Sequence, residues 1–258
     1  MIKVIRSRHN KAVQDTAALK NKKYRTKSGF FVLEGAIAFK EALKCPEKLV
    51  RFFVQQELIE KYQDLLQFFI DKEGYQVSLN IMKQLCSTDN PQGILAVMKI
   101  PKNEMEKAPE NGSFFLLDGI SDPGNLGAIV RTAWAMDIQG VLLADHCADP
   151  FSPKSVRASM GGVLHVPIVE IDQNRLASLL EEGYSMYGAA ANGSVCLSQI
   201  DLIGPLIVAI GNEAHGLSKW VLKLCKEMFF IPMNKQAESM NAAVAAGIIM
   251  NKMWQDRN

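Results

Sequence analysis

The stretch PLIVAIGNEAHGLS, residues 205–218, joins a short apolar run to a polar loop in which an asparagine and a glutamate stand between two glycines. An apolar run bounded by turn residues is typical of a strand buried on both faces of a parallel sheet. A strand exit needs a glycine or an asparagine for the turn, but seldom a carboxylate as well. Two interpretations therefore stay open for Glu213, an ordinary strand exit and a loop that faces a ligand.

Residues 113–258 repeat this pairing of apolar runs with polar ends. Strands are predicted at SFFLLDGI, GVLLAD, VLHVPIVE, SMYGAAA, PLIVAIG and EMFFIPM. Helices are predicted at NLGAIVRTAWAMD, around PKSVRASM, from Gln173 to Glu182, just after Leu217 and at the final MNAAVAAGIIMNKMWQD. Strands that alternate with helices predict a parallel α/β domain.

The first half of the chain has a similar alternation. FFVLEG (30–35), LVRFFVQQ and GILAVMKI are predicted as strands, and AIAFKEALK and Glu57–Lys72 as helices. Residues 101–112, PKNEMEKAPENG, are polar, contain two prolines and have no apolar periodicity, which is typical of a linker. We therefore expect an α/β domain at 1–100, a linker at 101–112 and a second domain at 113–258.

Composition excludes several classes of protein. The chain has 258 residues, of which 48% are hydrophobic and 22% charged, with a net charge of +2, as in a soluble globular protein. No apolar run approaches the ~20 residues of a membrane span, and the N-terminal residues lack the apolar core of a secretory signal, so we expect a cytoplasmic protein. The five cysteines form no CxxC pair and the four histidines are dispersed, which predicts neither a disulfide framework nor a metal site.

Basic residues are concentrated at the N-terminus. Residues 1–27 contain nine lysines and arginines and one acid, so this segment has a net charge of +8 and the remainder −6. Such a segment is either a solvated helix face or a surface for a polyanion, and the density of one sign favours nucleic acid. The candidate RNA-binding residues are Lys20, Lys22, Lys23 and Arg25.

Three polar segments follow predicted strands of the second half. They are DPGNLGAIVRTA, IGNEAHGLS and IPMNKQAESMNAA. In parallel α/β domains ligands bind beyond the carboxyl ends of the strands, so we expect these segments to form one site. The chain contains neither GxGxxG nor GxxxxGK[ST], which argues against a cofactor anchored by its phosphates.

Together these segments resemble the SpoU (TrmH) family of RNA ribose 2′-O-methyltransferases, in the SPOUT superfamily. The family's N-x-G-x-x-x-R-T-A is present from Asn125 to Ala133, and its G-N-E-x-x-G-L from Gly211 to Leu217. Its I-P-M begins at Ile231, and its S-L-N is present as SMN at 239–241, with methionine in place of leucine. KNKKYRTKSGFFVLEG and NPQGILAV are similar to the family's substrate-binding extension, less specifically.

The resemblance implies a trefoil-knotted parallel α/β domain at the C-terminus and a smaller N-terminal α/β domain that binds substrate. It implies S-adenosylmethionine as cofactor, RNA as substrate and a homodimer with an active site shared between subunits. The family's cofactor positions correspond to Gly211, Asn212, Gly216, Leu217, Ile231, Met233 and Met240. Its catalytic positions correspond to Arg131, Asn125, Glu213, Ser239 and Asn241.

Arg131 is the residue of this family often described as the base. A guanidinium has a pKa above ~12, so a neutral arginine is costly at physiological pH. We therefore expect Arg131 to bind a phosphate and stabilise the developing alkoxide, while the other four side chains orient the arginine and the ribose. The transferred methyl is already activated, so no metal is expected.

Several functions remain open at this point. The two-domain layout favours rRNA over tRNA as the substrate of a 2′-O-methyltransferase. The alternatives are a tRNA 2′-O-methyltransferase, a base-nitrogen methyltransferase of a sister SPOUT branch and a non-catalytic RNA-binding ribosome assembly factor. The N-x-G-x-x-x-R segment favours ribose chemistry, and a pure binding protein could lose Arg131, Glu213 and Asn241.

Overall fold

The computed structural model describes residues 2–69, 71–102, 112–234 and 236–258. The chain divides into two compact units: one contains the described residues up to 102 together with 151–164, the other contains 112–150 and the rest of the chain from 165. Most of the predicted linker, residues 103–111, lies outside the described residues. The division at 1–100, 101–112 and 113–258 stays a prediction.

The two units contain strands and helices in alternation. The strands are β1 Lys3–Ile5, β2 Phe30–Glu34, β3 Leu49–Gln55, β4 Glu73–Val77, β5 Ile94–Lys99, β6 Ser113–Asp118, β7 Gly140–Leu143, β8 Ile168–Glu170, β9 Ser185–Ala189, β10 Val195–Cys196, β11 Leu206–Gly211 and β12 Glu227–Phe230. The helices are α1 Lys11–Ala18, α2 Lys22–Ser28, α3 Ala36–Ala42, α4 Gln63–Leu66, α5 Leu79–Leu85, α6 Pro123–Ala135, α7 Pro153–Ser159, α8 Gln173–Glu181, α9 Lys219–Leu224 and α10 Ala242–Arg257.

The N-terminal unit has a five-stranded mixed sheet in the order β1-β4-β3-β5-β2. Strand β5 is antiparallel to both of its neighbours, whereas β4 is parallel to β1 and to β3. Apolar side chains from β3, β4, β5 and α5 form a buried cluster against α1, and the stacked rings of Phe53 and Tyr75 lie within it. The predicted α/β class of this half is confirmed.

The prediction of one helix over Glu57–Lys72 is wrong. The segment contains 3-10 turns at Gln56–Leu58, Glu60–Tyr62 and Gln67–Phe69, and an α-helix only at Gln63–Leu66. A helix gains most of its stability from packing an apolar face, and here Tyr62 and Leu66 are buried while Phe68 is 63% exposed. The hydroxyl of Tyr62 also donates a hydrogen bond to the carbonyl oxygen of Gln92 at 2.7 Å, which ties the segment to a neighbouring loop.

The second unit has a seven-stranded sheet in the order β10-β12-β9-β11-β6-β7-β8, and every pairing in it is parallel. The parallel α/β domain is therefore confirmed. The segment VLHVPIVE is shorter as a strand than predicted, because a 3-10 turn at Gly162–Leu164 precedes β8. A trefoil knot concerns how the chain threads, which strand order does not decide, and it stays a prediction.

The sheet brings the three polar segments to one edge. Since β6, β11, β9 and β12 are consecutive and parallel, the loops that follow them leave the sheet on the same side. In the register of β11 and β6, Gly211 lies opposite Asp118, so both strands end at the same level. Helix α6 begins after the β6 loop, and α10 begins after the β12 loop and packs against α6. Among the helices of the described residues, none has the length and apolar character needed to cross a membrane.

Candidate active site

A row of three hydrogen-bonded side chains joins the three motif segments. The amide nitrogen of Asn125 donates to Oε1 of Glu213 at 2.6 Å, and the amide nitrogen of Asn241 donates to Oδ1 of Asn125 at 3.0 Å. These side chains are 88 and 116 residues apart in the sequence. The row fixes the orientation of the Asn125 amide, because its donor and its acceptor are both engaged.

The N-termini of α6 and α10 position the two asparagines. Asp122 caps α6 by accepting a hydrogen bond from the backbone nitrogen of Asn125 at 2.9 Å. Asn241 caps α10 with its Oδ1, which accepts from the backbone nitrogens of Ala243 and Val244 at 3.0 and 3.2 Å. Capping uses only the oxygen of Asn241, so its amide nitrogen remains available for Asn125. The helix cap and the contact with Asn125 are thus both made by this one residue.

The loop after β11 presents Glu213. Two backbone hydrogen bonds between Asn212 and Gly216, of 3.1 and 2.8 Å, close the loop into a tight turn. The Asn212 side chain accepts from the backbone nitrogens of Ala214 and His215 and donates to the carbonyl oxygen of Gly119. The glutamate therefore lies on a loop that is held from within and from β6, with its side chain exposed.

Glycine is required at two positions of this loop. A Cβ at Gly211 would overlap the backbone carbonyl of Gly216 and the nitrogen of Leu217. Gly216 has φ +66°, in the left-handed region that favours glycine. A side chain at Gly211 would therefore prevent the loop from closing on itself.

Asp118 holds the other end of the loop and was not among the predicted site residues. Its Oδ2 accepts a hydrogen bond from the backbone nitrogen of Ser218 at 2.6 Å, and the residue is 5% exposed. Burial raises the pKa of the neighbouring thiol of Cys225 to about 11, with a smaller contribution from the charge of Asp118. The sequence signal for Asp118 was its position at the end of the apolar run FFLLD, because a buried carboxylate needs a hydrogen-bond donor.

A cavity of about 290 Å³ lies beside this row, at the carboxyl ends of β9, β11 and β12. Its lining contains predicted residues of the second and third polar segments: Gly211, Asn212, Glu213, Gly216, Ile231, Met233, Ser239 and Met240. It also contains residues that were not predicted: Ala189, Ala190, Ala191, Asn192, Ile210, Glu238, Ala242 and Ala245. The signal for the β9 residues was the run of small residues AAANG at a strand end.

Four predicted residues do not line this cavity: Asn125 and Asn241, which belong to the row beside it, and Leu217 and Arg131. Leu217 is 7% exposed and packs in the apolar cluster behind the loop. Arg131, on α6, is exposed and has no hydrogen bond or ion pair with any residue that the structure describes. The structure therefore brings together Asn125, Glu213 and Asn241, and leaves the arginine apart from them.

The cavity is chemically suited to S-adenosylmethionine. Its walls combine alanines and glycines, which admit a flat ring close to the chain, with the larger apolar side chains of Ile231, Met233 and Met240. The carboxylates of Glu213 and Glu238 lie in the lining, and they complement a cofactor that carries a sulfonium and an ammonium group.

The predicted RNA-binding residues of the N-terminal unit separate into two groups. Lys20, Lys22 and Lys23 are exposed, and the ammonium of Lys20 donates to the carbonyl oxygen of Gln84 at 2.8 Å. Arg25 is 4% exposed, and its guanidinium donates to the carbonyl oxygens of Leu19 and Lys20 at 2.6 and 2.9 Å. The prediction for Arg25 is corrected, because a buried guanidinium that ties α1 to α2 is not presented to a phosphate.

Comparison with known protein families matches both halves of the chain. Residues 112–251 match the SpoU rRNA Methylase family, and residues 10–96 match the MRM3-like substrate binding domain.

Individual relatives match over nearly the whole length. The 23S rRNA (guanosine(2553)-2′-O)-methyltransferase RlmP of Bacillus subtilis is 32% identical over 250 residues, 96% of this chain and 98% of that protein. The 23S rRNA (uridine(2479)-2′-O)-methyltransferase of Streptomyces viridochromogenes is 29% identical, over 98% of this chain and 92% of that protein.

Solved structures are similar to this chain in fold, and two of them contain AdoMet. The AdoMet-bound rRNA methyltransferase from Sinorhizobium meliloti has a TM-score of 0.88 at 27% identity, covering 98% of each chain. The SpoU methyltransferase AviRb from Streptomyces viridochromogenes, in complex with AdoMet, has a TM-score of 0.87 at 27% identity, covering 96% of this chain and 98% of that one. With one family model spanning more than half of its residues and a 32% identical relative spanning nearly all of them, this chain belongs to the SpoU rRNA methylase family.

Proposed function

We propose that this methyltransferase transfers a methyl group to one ribose 2′-hydroxyl of 23S rRNA in the cytoplasm. The observation that carries the proposal is the row Glu213–Asn125–Asn241 at the edge of the 290 Å³ cavity. The choice of 23S rRNA rests on the substrates in the names of the two relatives that match nearly the whole chain.

S-adenosylmethionine is the cofactor, and when bound it supplies a methyl group already activated by the sulfonium. We assign its binding to the lining residues Gly211, Asn212, Gly216, Ile231, Met233 and Met240. Leu217 supports this site from behind, because its buried side chain packs under the loop that carries Gly211. The protein must hold the ribose 2′-hydroxyl in line with the transferred methyl group and provide for the proton that this hydroxyl loses.

The hydrogen-bonded row is suited to orienting the ribose. Glu213 and Ser239 line the cavity with exposed side chains, so both are available to a sugar hydroxyl at its mouth. Asn125 and Asn241 hold the carboxylate of Glu213 in one direction. We assign to Arg131 the binding of a phosphate beside the reacting ribose and the stabilisation of the alkoxide that forms when the hydroxyl loses its proton.

We propose a homodimer in which Arg131 of one copy completes the cavity of the other. Arg131 is exposed and does not line the cavity of its own chain. One face of α10 exposes Val244, Ile248 and Trp254 at 54%, 39% and 43%. Large apolar side chains clustered on a helix surface mark an interface, and a second copy of the same helix is self-complementary to it.

Mass spectrometry of nucleosides from a deletion strain tests the function. We expect one 2′-O-methylated nucleoside to be lost from 23S rRNA and restored by the unaltered gene, but not by Arg131→Ala. Loss of a methyl from tRNA instead would replace the proposed substrate. Unchanged methylation of both RNAs would contradict the proposal and favour the assembly-factor alternative.

A further inference from the structure

A second cavity, of about 170 Å³, lies within the N-terminal unit. We call it the N-terminal cavity. Its inner wall is apolar and includes the buried residues Ala38 and Cys86. Its rim is polar and includes Asn90, Gln92 and Arg157. Five of its lining residues belong to FFVLEG and NPQGILAV, the segments that resemble the family's substrate-binding extension.

Hydrogen bonds hold most of this rim in place. The Glu34 carboxylate accepts from the backbone nitrogen of Ser87 at 2.7 Å, and Oε1 of Gln92 accepts from the backbone nitrogen of Ala36 at 2.8 Å. One guanidinium nitrogen of Arg157 donates to the hydroxyl of Ser87 at 3.0 Å, which leaves the guanidinium further donors.

Asn90 differs from the rest of the rim. Its side chain is exposed and makes no hydrogen bond with any residue that the structure describes. An amide presents both a donor and an acceptor, which is the pattern that matches the hydrogen-bonding edge of a nucleobase. The Asn90 amide is therefore available to hydrogen-bond a base, on a rim whose other polar side chains are held in place.

Lys20, of the basic N-terminal segment, does not line this cavity but is bonded to the chain close to it in sequence. Its ammonium is bonded to the carbonyl oxygen of Gln84, two residues before Cys86. Burial, with a smaller contribution from the charge of Glu34, raises the pKa of the Cys86 thiol to about 12, and the charge of Lys20 opposes this shift. The charge of Lys20 therefore acts on the thiol of the inner wall. The exposed residues Lys22 and Lys23 follow Lys20 in the sequence.

The size of the cavity indicates what it holds. Pockets for free small molecules usually have ~300–1,000 Å³, so a smaller one suits a single ring of a larger ligand that is held elsewhere. Sequence-specific RNA recognition uses unpaired bases that are splayed out and hydrogen-bonded at their edges. We propose that the N-terminal cavity holds one unpaired base of the RNA substrate, with Asn90 at its edge and Lys20 and Arg157 beside its flanking phosphates. This proposal rests on the proposed function for the identity of the ligand.

Matched asparagine variants test this base site. Asn80 on α5 is also exposed and without a hydrogen bond to the described residues, but it does not line the cavity. In filter binding of the full chain to a 23S rRNA transcript, we expect Asn90→Ala to raise Kd about tenfold, as for loss of one base contact, with an unchanged salt dependence. Asn80→Ala should leave Kd within about twofold, and Lys20→Ala should reduce the log–log salt slope by about 0.7, one phosphate contact.

A cross-linking experiment locates the base directly. With a transcript containing 4-thiouridine, irradiation should attach nucleotides to residues 86–92, and Asn90→Ala should reduce the yield of this adduct. Equal Kd values for the two asparagine variants, a changed salt slope for Asn90→Ala or an absence of adducts in 86–92 would each overturn the proposal.

Methyl transfer, measured in parallel, separates this proposal from the function on which it rests. We expect Asn90→Ala to raise KM for the transcript with kcat and cofactor affinity unchanged. If the unaltered enzyme methylates the transcript and Asn90→Ala has no effect, only the proposed base site is overturned. An unaltered enzyme that binds the transcript through 86–92 but methylates no ribose overturns only the proposed function. Failure of the unaltered enzyme to bind the transcript overturns both.

Discussion

Asn241 caps helix α10 with its oxygen and bonds Asn125 with its nitrogen, so one side chain makes both contacts through different atoms. An aspartate keeps the capping oxygen and loses the donor, whereas an alanine loses both. These two substitutions therefore separate the roles.

We predict that Asn241→Asp reduces kcat at least about tenfold, because an acceptor then faces the Oδ1 of Asn125 and the row is broken. Its free energy of unfolding should stay near that of the unaltered protein. Asn241→Ala should reduce kcat as well and should lower the free energy of unfolding by about 1 kcal/mol, the usual value of a lost cap. Denaturant unfolding and methyl-transfer assays measure both effects, and full activity of Asn241→Asp would remove the row from catalysis.

Gly211→Ala should abolish binding of S-adenosylmethionine. The added methyl overlaps the backbone of Gly216, so the loop opens and the cavity loses one wall. Gly247→Ala is a suitable control, because its added methyl meets only Thr132, at 4.0 Å. Isothermal titration calorimetry of both variants checks this, and unchanged affinity of Gly211→Ala would contradict the assigned cofactor site.

Arg131→Ala should abolish methyl transfer with little change in cofactor affinity, since we assign Arg131 to a phosphate of the RNA and to the alkoxide, not to the cofactor. Arg131→Lys should also be poor, because an ammonium does not reproduce the planar two-pronged contact of a guanidinium with a phosphate. Single-turnover assays at saturating cofactor, with calorimetry alongside, measure the two properties separately. Substantial activity of either variant would exclude the assigned role.

At the scale of elements, the strands were predictable where a sequence run was continuously apolar and buried. Strands β6, β7 and β11 are buried at every position, and a periodicity argument is sufficient for such strands. The segment 57–72 has apolar residues at helical spacing as well, but spacing does not reveal which of them find a partner in the core. Only tertiary packing decides which apolar residues are buried, and Phe68 is not buried in the described core.

The site was predictable as a set of segments but not as a set of contacts. Strand ends in a parallel sheet meet at one edge, so the motifs could be placed together. The 2.6 Å contact between Asn125 and Glu213 and the anchoring of Ser218 by Asp118 depend on the threading of strands that are far apart in the sequence. Charge alone likewise did not distinguish buried Arg25 from its exposed neighbours.

The segment between α1 and α2 gives a prediction at this scale. Arg25→Ala removes two hydrogen bonds from a buried guanidinium to carbonyl oxygens and should lower the free energy of unfolding by about 2 kcal/mol. Lys22→Ala and Lys23→Ala should leave stability unchanged and should flatten the salt dependence of RNA binding. Denaturant unfolding and binding at several salt concentrations distinguish them. A stable Arg25→Ala with a flattened salt slope would restore Arg25 as an RNA-binding residue.

For the whole molecule, the compact units do not follow the chain in simple order. Residues 151–164 belong to the N-terminal unit, where the ring of Phe151 lies 5.1 Å from that of Phe31 and the ammonium of Lys48 donates to the carbonyl oxygen of Leu164. A domain boundary placed at residue 113 from composition assigns residues 151–164 to the second domain, although they pack in the N-terminal unit. The cofactor cavity and the hydrogen-bonded row lie wholly in the other unit.

The proposed homodimer leads to a complementation experiment with two inactive variants. If Arg131 completes the cavity of the other copy, a mixed dimer of Arg131→Ala and Gly211→Ala has one site with both residues intact and one site with neither. Random exchange in an equal mixture yields half mixed dimers, so about a quarter of the unaltered activity should return. Co-purification of differently tagged copies verifies exchange, and each variant alone is the control. If mixed dimers form and remain inactive, Arg131 acts on the cavity of its own chain and the shared site is wrong.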